Sequence, residues 1–361
     1  MSIQEVELIS FRNHQHTTVE FKPGLNVIWG ENGSGKTSIL EAIYSLSLGR
    51  SFKTPRRQNL ITRGRDYYRV TGRFTSGQQE TTITTTQMAD GRSKTNVNGE
   101  TISGRKKLIG LNPVVLLSPE EQLVTKGSPG ERRKFFDKLF SVASSEYMNT
   151  LTEFLRIRKQ RDAALMAIRD HQTSRQTLEP WNEPYIDIAW NLWEQRAVRW
   201  QRFETVLVEV MEKLNDATVT LSGQHQTAQP ADREAFRKDI KESLQRDIAL
   251  GRTNRGPQRD NFTFYFNGDD LRTFGSQGEH KLALILLKLA EFKFLQLGGQ
   301  ATPIILLDDV LAKLDFERSE IVMSMLEKKV QTIITTTNVV NVESHGIDMK
   351  NPDNMALYFK R

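Results

Sequence analysis

Leu25-Asn-Val-Ile-Trp29, Gly30-Glu-Asn-Gly-Ser-Gly-Lys36-Thr37 and Ser38-Ile-Leu-Glu-Ala-Ile-Tyr-Ser-Leu46 follow one another without a break. They read as a buried strand, a glycine-rich loop and a helix. The loop matches G-x-x-x-x-G-K-[ST], set between a strand and a helix as that motif requires. Glycines at 30, 33 and 35 let backbone N–H groups turn inward around a phosphate where side chains would clash. Lys36 can set its ammonium on the β/γ-phosphates, and the Thr37 hydroxyl can ligate Mg²⁺. The following helix points its positive end at the same anion. A nucleoside-triphosphate site built from Gly30, Glu31, Asn32, Gly33, Ser34, Gly35, Lys36 and Thr37 is the expectation.

The chain has 361 residues, 37% hydrophobic and 26% charged, a composition of folded soluble proteins with room for two lobes. It contains no cysteine, which excludes disulfides, thiolate metal sites and cysteine nucleophiles. Its start has no basic, apolar leader pattern, and the most apolar window, 282–290, is too short to span a bilayer and contains Lys288. A cytoplasmic protein with no membrane partner is expected. The net charge of +6 is a mild excess, but its distribution is uneven. Between Arg50 and Arg73 there are eight basic residues against one acid, Asp66. Concentrated cationic donors of this kind suit a nucleic-acid phosphate backbone, since binding then releases counterions. A solvated basic face is the alternative reading.

Alternating patterns predict a hairpin over 3–10 and 17–21, further strands at 67–74, 80–87, 94–97 and 114–117, and an Asn98-Gly99 hairpin turn. From 119 to 246 the period becomes helical, with helices expected at 131–142, 145–172, 184–214 and 232–248. The 145–172 segment has an uneven apolar stripe and many charges, so it is expected to be an arm and not a core helix. Strand signals return at 263–266, 304–307 and 332–336, with helices at 278–297 and 316–328 between them. The expected divisions are 1–118, the N-terminal part of the nucleotide lobe; 119–247, a helical lobe; and 248–361, the C-terminal part of the nucleotide lobe. An α/β P-loop lobe must therefore be assembled from both chain ends around a helical insertion.

Ile304 to Leu307 runs straight into Asp308-Asp309, as a buried parallel strand carrying acids at its ligand-binding end would. Asp308 is expected to share Mg²⁺ with Thr37, and Asp309 to orient or deprotonate the attacking water. Upstream, Ser276-Gln-Gly-Glu279 opens a helix, and downstream lies Ala312-Lys-Leu-Asp315. These resemble the signature motif and D-loop of ABC-type ATPases. That resemblance implies that Ser276 binds the γ-phosphate held by a second subunit, and hence an ATP-dependent homodimer.

Further stretches resemble the RecF family, bacterial recombination mediators related to SMC proteins. They are Leu8-Ile-Ser-Phe-Arg12-Asn13, Ser118-Pro-Glu120, Lys126-Gly-Ser-Pro129 with Arg132-Arg133, Gly256-Pro-Gln258-Arg-Asp260 and Leu307 to Asp315. The resemblance runs over essentially the whole chain. It implies an ABC/SMC-type ATPase head that binds ATP with Mg²⁺ and clamps double-stranded, gapped or single-stranded DNA. It further implies weak, DNA-stimulated hydrolysis that resets the clamp as a timer, and RecO- and RecR-type partners in repair and replication. Two positions depart from the pattern. Gln258 stands where the family has histidine, and the switch position falls among Thr335, Thr336, Thr337 and Asn338, where ABC ATPases often have histidine. Glu120 to Gln122 are the candidates for positioning water.

Arg12 can contact the nucleotide or form a structural salt bridge. Trp181, Trp190, Trp193 and Trp200 recur at helical intervals and are expected to pack the insertion. No two of the six histidines have metal-ligand spacing. An SMC-like chromosome-tethering ATPase is the alternative, but the proline-interrupted insertion is too short for a long coiled-coil rod.

Overall fold

Strands from the two ends of the chain share one parallel sheet in the computed structural model, which describes residues 1–214, 216, 218–298, 301–309, 330–337 and 351–360. The N-terminal stretch forms β1 (Ser2–Phe11), β2 (His14–Glu20), β3 (Leu25–Trp29), α1 (Lys36–Leu48), β4 (Tyr67–Ser76), β5 (Gln79–Met88), β6 (Ser93–Val97), β7 (Glu100–Ile102) and β8 (Val114–Leu117). The middle forms α2 (Leu123–Lys126), α3 (Pro129–Ala143), α4 (Ser145–Arg169), α5 (Glu179–Leu214), β9 (Leu221–Gln226), α6 (Arg233–Glu242) and α7 (Leu244–Leu250). The rest forms β10 (Asn261–Phe266), β11 (Asp269–Asp270), α8 (Leu271–Phe274), α9 (Gln277–Leu297), β12 (Ile304–Asp308), β13 (Thr332–Thr336) and β14 (Met355–Tyr358). The expected helix at 316–328 and the segment 312–315 lie outside the described residues.

Two compact units result, one of residues 1–122 with 284–361 and one of 123–283. The first holds a parallel sheet in the order β14-β3-β13-β12-β8. β3, β8, β12 and β13 are almost wholly buried, as strands covered on both faces are. Leu25 pairs with Thr332 and Trp29 with Thr336, so the loop after β3 emerges beside the end of β13. Ile305 pairs with Thr332 and Asp308 with Thr335, which brings the acids to the same sheet edge. α1 has Ile39, Leu40, Ala42, Ile43 and Leu46 fully buried.

The second sheet of this unit is antiparallel, in the order β2-β1-β4-β5-β6-β7. Asn98 and Gly99 both have positive φ (51° and 86°), as a two-residue turn between β6 and β7 needs. Gln331 joins the chain ends again: its amide accepts from the Ile3 N–H at 2.7 Å and donates to the Ile3 and Lys22 carbonyls, each at 2.8 Å.

In the second unit, Phe136 is fully buried at the centre of an aromatic cluster with Trp200, Phe203, Phe262 and Phe264. Trp193 and Trp200 are buried there and Trp181 and Trp190 half-buried, consistent with a packing role for all four. α4 differs from the expected arm. It buries Tyr147, Met148, Phe154, Ile157, Leu165 and Ile168 and is a core helix. Its stripe reads as uneven because Arg161 occupies a buried position, where Nη1 donates to Asp247 Oδ2 (3.1 Å) and Thr253 Oγ1 (2.8 Å). Tertiary ion pairing turns a charged residue into an interior one, and periodicity alone cannot register that.

Residues 248–283 also differ from the expected division, since they lie in the second compact unit, not with the C-terminal strands. β10 pairs antiparallel with β9 and β11, and that three-stranded sheet packs on α3 and α5. β9, Leu-Ser-Gly-Gln-His-Gln, has too few apolar residues to announce itself as a strand. No helix among the described residues is long and apolar enough to cross a membrane.

Arg161 and Asp247 are both fully buried. Arg161→Ala is expected to lower the unfolding free energy by about 3–5 kcal/mol because it strands a buried carboxylate. An Arg161→Met/Asp247→Leu double change is expected to recover most of the loss, both being read by urea titration of tryptophan fluorescence.

Candidate functional site

Gly30 ends β3, and Glu31, Asn32, Gly33 and Ser34 carry the chain round to Gly35, which N-caps α1 with φ 111°. A Cβ at Gly35 would sit 2.6 Å from His14 Nε2 and 2.9 Å from Asn13 Nδ2, so only glycine lets the loop rest on the turn between β1 and β2. His14 Nε2 lies 3.1 Å from the Gly35 carbonyl, and Asn13 Nδ2 donates to the Gly33 carbonyl at 3.3 Å. These two residues brace the loop from behind. Their local sequence does not announce this contact, because it depends on where the β1–β2 turn lands.

Lys36 Nζ donates to the carbonyls of Gly30 (2.8 Å) and Glu31 (2.7 Å). Its side chain is thus folded back over the loop. Burial pulls this ammonium below its ordinary value, while the carboxylates of Asp309 and Asp308 pull it the other way.

Thr37 Oγ1 donates to Asp308 Oδ1 at 2.7 Å across 271 residues of chain. Thr335 Oγ1 donates to the same oxygen at 2.8 Å. Lys53 Nζ lies 4.0 Å from Asp308 Oδ2, an approach concealed in the sequence within the basic stretch. A hydroxyl and a carboxylate meeting here form a set of hard oxygen donors that fits Mg²⁺. Among the described residues no group of three or more His, Cys, Asp or Glu side chains could hold a metal. A divalent ion at Thr37 and Asp308 would complete its shell with waters and phosphate oxygens, as Mg²⁺ commonly does.

Asp309 has φ 51°, a left-handed conformation uncommon for an aspartate. Its N–H is directed to Thr335, 3.1 Å from both the carbonyl and the hydroxyl oxygen. This holds the backbone turned at the strand end. Of the three threonines left open at the switch position, Thr335 and Thr336 are buried and Thr337 is exposed. Asn338 lies outside the described residues.

Ser276, in the second unit, is exposed and caps α9. Its N–H donates to Glu279 Oε2 at 2.7 Å and its Oγ accepts from the Glu279 N–H at 3.2 Å, a reciprocal capping box. Gln258 lies in the same unit and accepts from Tyr185 Oη at 3.1 Å. It also donates to the Thr253 and Arg255 carbonyls, so its amide serves local structure.

Arg12 takes the salt-bridge alternative. Nε and Nη2 donate to Glu41 at 2.8 and 2.7 Å, and the Glu41 side chain is fully buried in α1. The guanidinium also donates through Nη1 to the Asn59 carbonyl at 3.3 Å. Among the water-positioning candidates, Glu121 is joined to Lys288, which also bonds Glu291 at 2.8 Å.

The family model described as "RecF/RecN/SMC N terminal domain" matches residues 2–350. A DNA replication and repair protein RecF from Heliobacterium modesticaldum is 33% identical over 346 residues, covering 94% of this chain and 93% of its own. The RecF of Staphylococcus aureus is 32% identical over 367 residues, covering 99% and 98%. A solved structure of the recombination mediator protein RecF with ATP, from the RecFOR pathway, superposes with a TM-score of 0.85 at 27% identity over 93% of this chain and 92% of that one. The Smc head domain of Pyrococcus furiosus, at 20% identity and a TM-score of 0.55, covering 95% and 91%, shares the fold alone. The chain belongs to the RecF/RecN/SMC N-terminal domain family and, within it, to the RecF proteins.

Proposed function

We propose that this protein is an ATP-dependent DNA-binding protein of recombinational repair and replication-fork maintenance, working in the cytoplasm as a homodimeric clamp. The observation that carries the reading is the meeting of Thr37 and Asp308 beside Lys36, from opposite ends of the chain. The names of the RecF relatives, DNA replication and repair proteins, support the biological role. Association with RecO- and RecR-type proteins rests on the pathway named for the solved RecF structure.

In this reading the N–H groups of Gly30 to Thr37 cradle the phosphates of ATP. Lys36 exchanges its bonds to the Gly30 and Glu31 carbonyls for phosphate oxygens, whose negative charge adds an ion pair to the hydrogen bond. Thr37 and Asp308 hold Mg²⁺, which when bound neutralises phosphate charge. Asp309 orients, or takes a proton from, the water that attacks the γ-phosphate. Ser276 and the N-terminus of α9 in a second copy bind that γ-phosphate, so two chains complete each site. The 50–73 stretch contacts DNA, duplex, gapped or single-stranded.

Hydrolysis is slow and DNA-stimulated, and it acts as a timer. With threonine at 335–337 the switch has no imidazole to take up charge. Arg12 supports the site through Glu41. A chromosome-tethering role is less well supported, since the longest helix described, α5, has 36 residues.

Lys36→Met is expected to weaken ATP binding by about 100-fold or more, as read by equilibrium binding of a fluorescent analogue. Asp309→Asn should slow turnover by about 10²–10³-fold while ATP still binds, so that the dimer persists on DNA. Ser276→Arg should abolish ATP-dependent dimerisation while monomers still bind ATP. Size-exclusion chromatography with and without ATP separates these outcomes, and the absence of any nucleotide-dependent dimer in the unmodified protein would overturn the mechanism.

A further inference from the structure

A cavity of about 650 Å³ opens in the first unit beyond the C-terminal end of α1. Arg50, Arg56 and Arg57 line it from the segment leaving the helix, and Arg105 from the turn that follows β7. No acidic side chain is among its lining residues, whose other polar groups include Gln58 and Thr95. Burial, together with the nearby charges of Arg57 and Arg50, lowers the pKa of Arg105, as expected where like charges converge. A helix C-terminus attracts cations, and Arg57 is accounted for in that way, since its Nη2 donates to the Gly49 carbonyl. Arg50, Arg56 and Arg105 are left without such an explanation. Gly49 is the helix C-cap, and a Cβ there would lie 2.8 Å from Arg105 Cγ, so the glycine lets the arginine stem close over the cavity.

Several guanidiniums around a cavity with no carboxylate in its lining form an unfavourable arrangement that a multivalent anion relieves. Their forked donors suit phosphate oxygens held in pairs. The cavity far exceeds the size of one phosphate. The 13 residues of α1 separate it from the glycine-rich loop by about 20 Å along the helix.

We propose that this cavity is a second anion site, distinct from the ATP site, that takes two adjacent phosphates. They come either from a nucleic-acid strand or from a free diphosphate. The nucleic-acid source rests on the DNA-binding reading above and extends it, because Arg105 lies outside the basic 50–73 stretch. The free-diphosphate source is independent of that reading.

Inorganic pyrophosphate titrated calorimetrically into full-length Lys36→Met protein is expected to bind. Adding Arg50→Ala and Arg105→Ala should weaken that binding at least about tenfold, the effect of losing charged hydrogen bonds. Residual binding at the glycine-rich loop would not respond to these arginines. An Arg50→Lys/Arg105→Lys form should retain part of the affinity, which separates loss of charge from loss of fold. In parallel, fluorescein-labelled duplex DNA is titrated over a salt series by anisotropy. Arg50→Ala/Arg105→Ala in the otherwise unmodified protein should flatten the log–log salt slope by about two.

Weakening with DNA, with or without pyrophosphate, supports the site with nucleic acid as its source. Weakening with pyrophosphate alone supports it with a free diphosphate. No change in either overturns it. If the unmodified protein binds no DNA at all, the DNA reading fails and the pyrophosphate titration alone decides the cavity.

Discussion

The parallel pairing of β3 with β13 and of β13 with β12 is the constraint on which the rest of the first unit depends. Buried strands must satisfy every backbone donor and acceptor within the sheet. β3 has no partner near it in sequence that could do this, and its neighbours β13 and β14 arrive some 300 residues later. Once that sheet closes, the loop after β3 and the acids after β12 have to emerge on one edge. The 2.7 Å contact between Thr37 and Asp308 follows from strand register. A triphosphate site of this kind therefore exists only when both chain ends have folded together.

Buried polar groups then refine each unit. Glu41 inside α1 would be costly without Arg12, which reaches it from the β1–β2 turn. That hairpin end also braces Gly35 through His14 and Gly33 through Asn13, so it supports both the helix and the loop in front of it. In the second unit Arg196 lies between Asp137 and Asp260 with both bonds at 2.8 Å, and Trp193 Nε1 donates to Asp260 at 2.9 Å. Burial works against a charged Asp260, yet its hydrogen bonds from His225, the Ala228 N–H and Trp193, with the charge of Arg196, hold its carboxyl below the ordinary value. Such networks favour one arrangement of helices over close alternatives, because each displaced partner would strand a buried charge.

Legibility in the sequence followed the range of the interactions involved. β13 and α9 are legible almost to the residue, because a β-branched run and a long apolar helix opened by a capping box advertise themselves locally. That the glycine-rich loop sits between strand and helix and that Asp308 ends a buried strand is also legible, since these placements rest on local pattern. Arg12 is legible only as two alternatives, and the salt bridge takes its partner, Glu41, from the buried side of α1. α4 and β9 elude the sequence for related reasons: the first buries a charge, and the second has few apolar side chains of its own. Lys53 and Arg105 are unremarkable as letters, and they acquire meaning only from the Asp308 carboxylate and the arginine-lined cavity beside them.

A P-loop between strand and helix, an acid-tipped strand far downstream and a helical segment between them can all be read from the residues alone. These are local patterns of period, turn chemistry and motif spacing, which short-range physics imposes. The tertiary structure alone decided which distant groups meet: Thr37 with Asp308, Arg12 with Glu41, Arg161 with Asp247, and four arginines around one cavity. The reason is physical. A strand or a cap is stabilised by residues a few positions away, whereas a buried charge or a shared oxygen is stabilised only by what folding brings within about 3 Å of it.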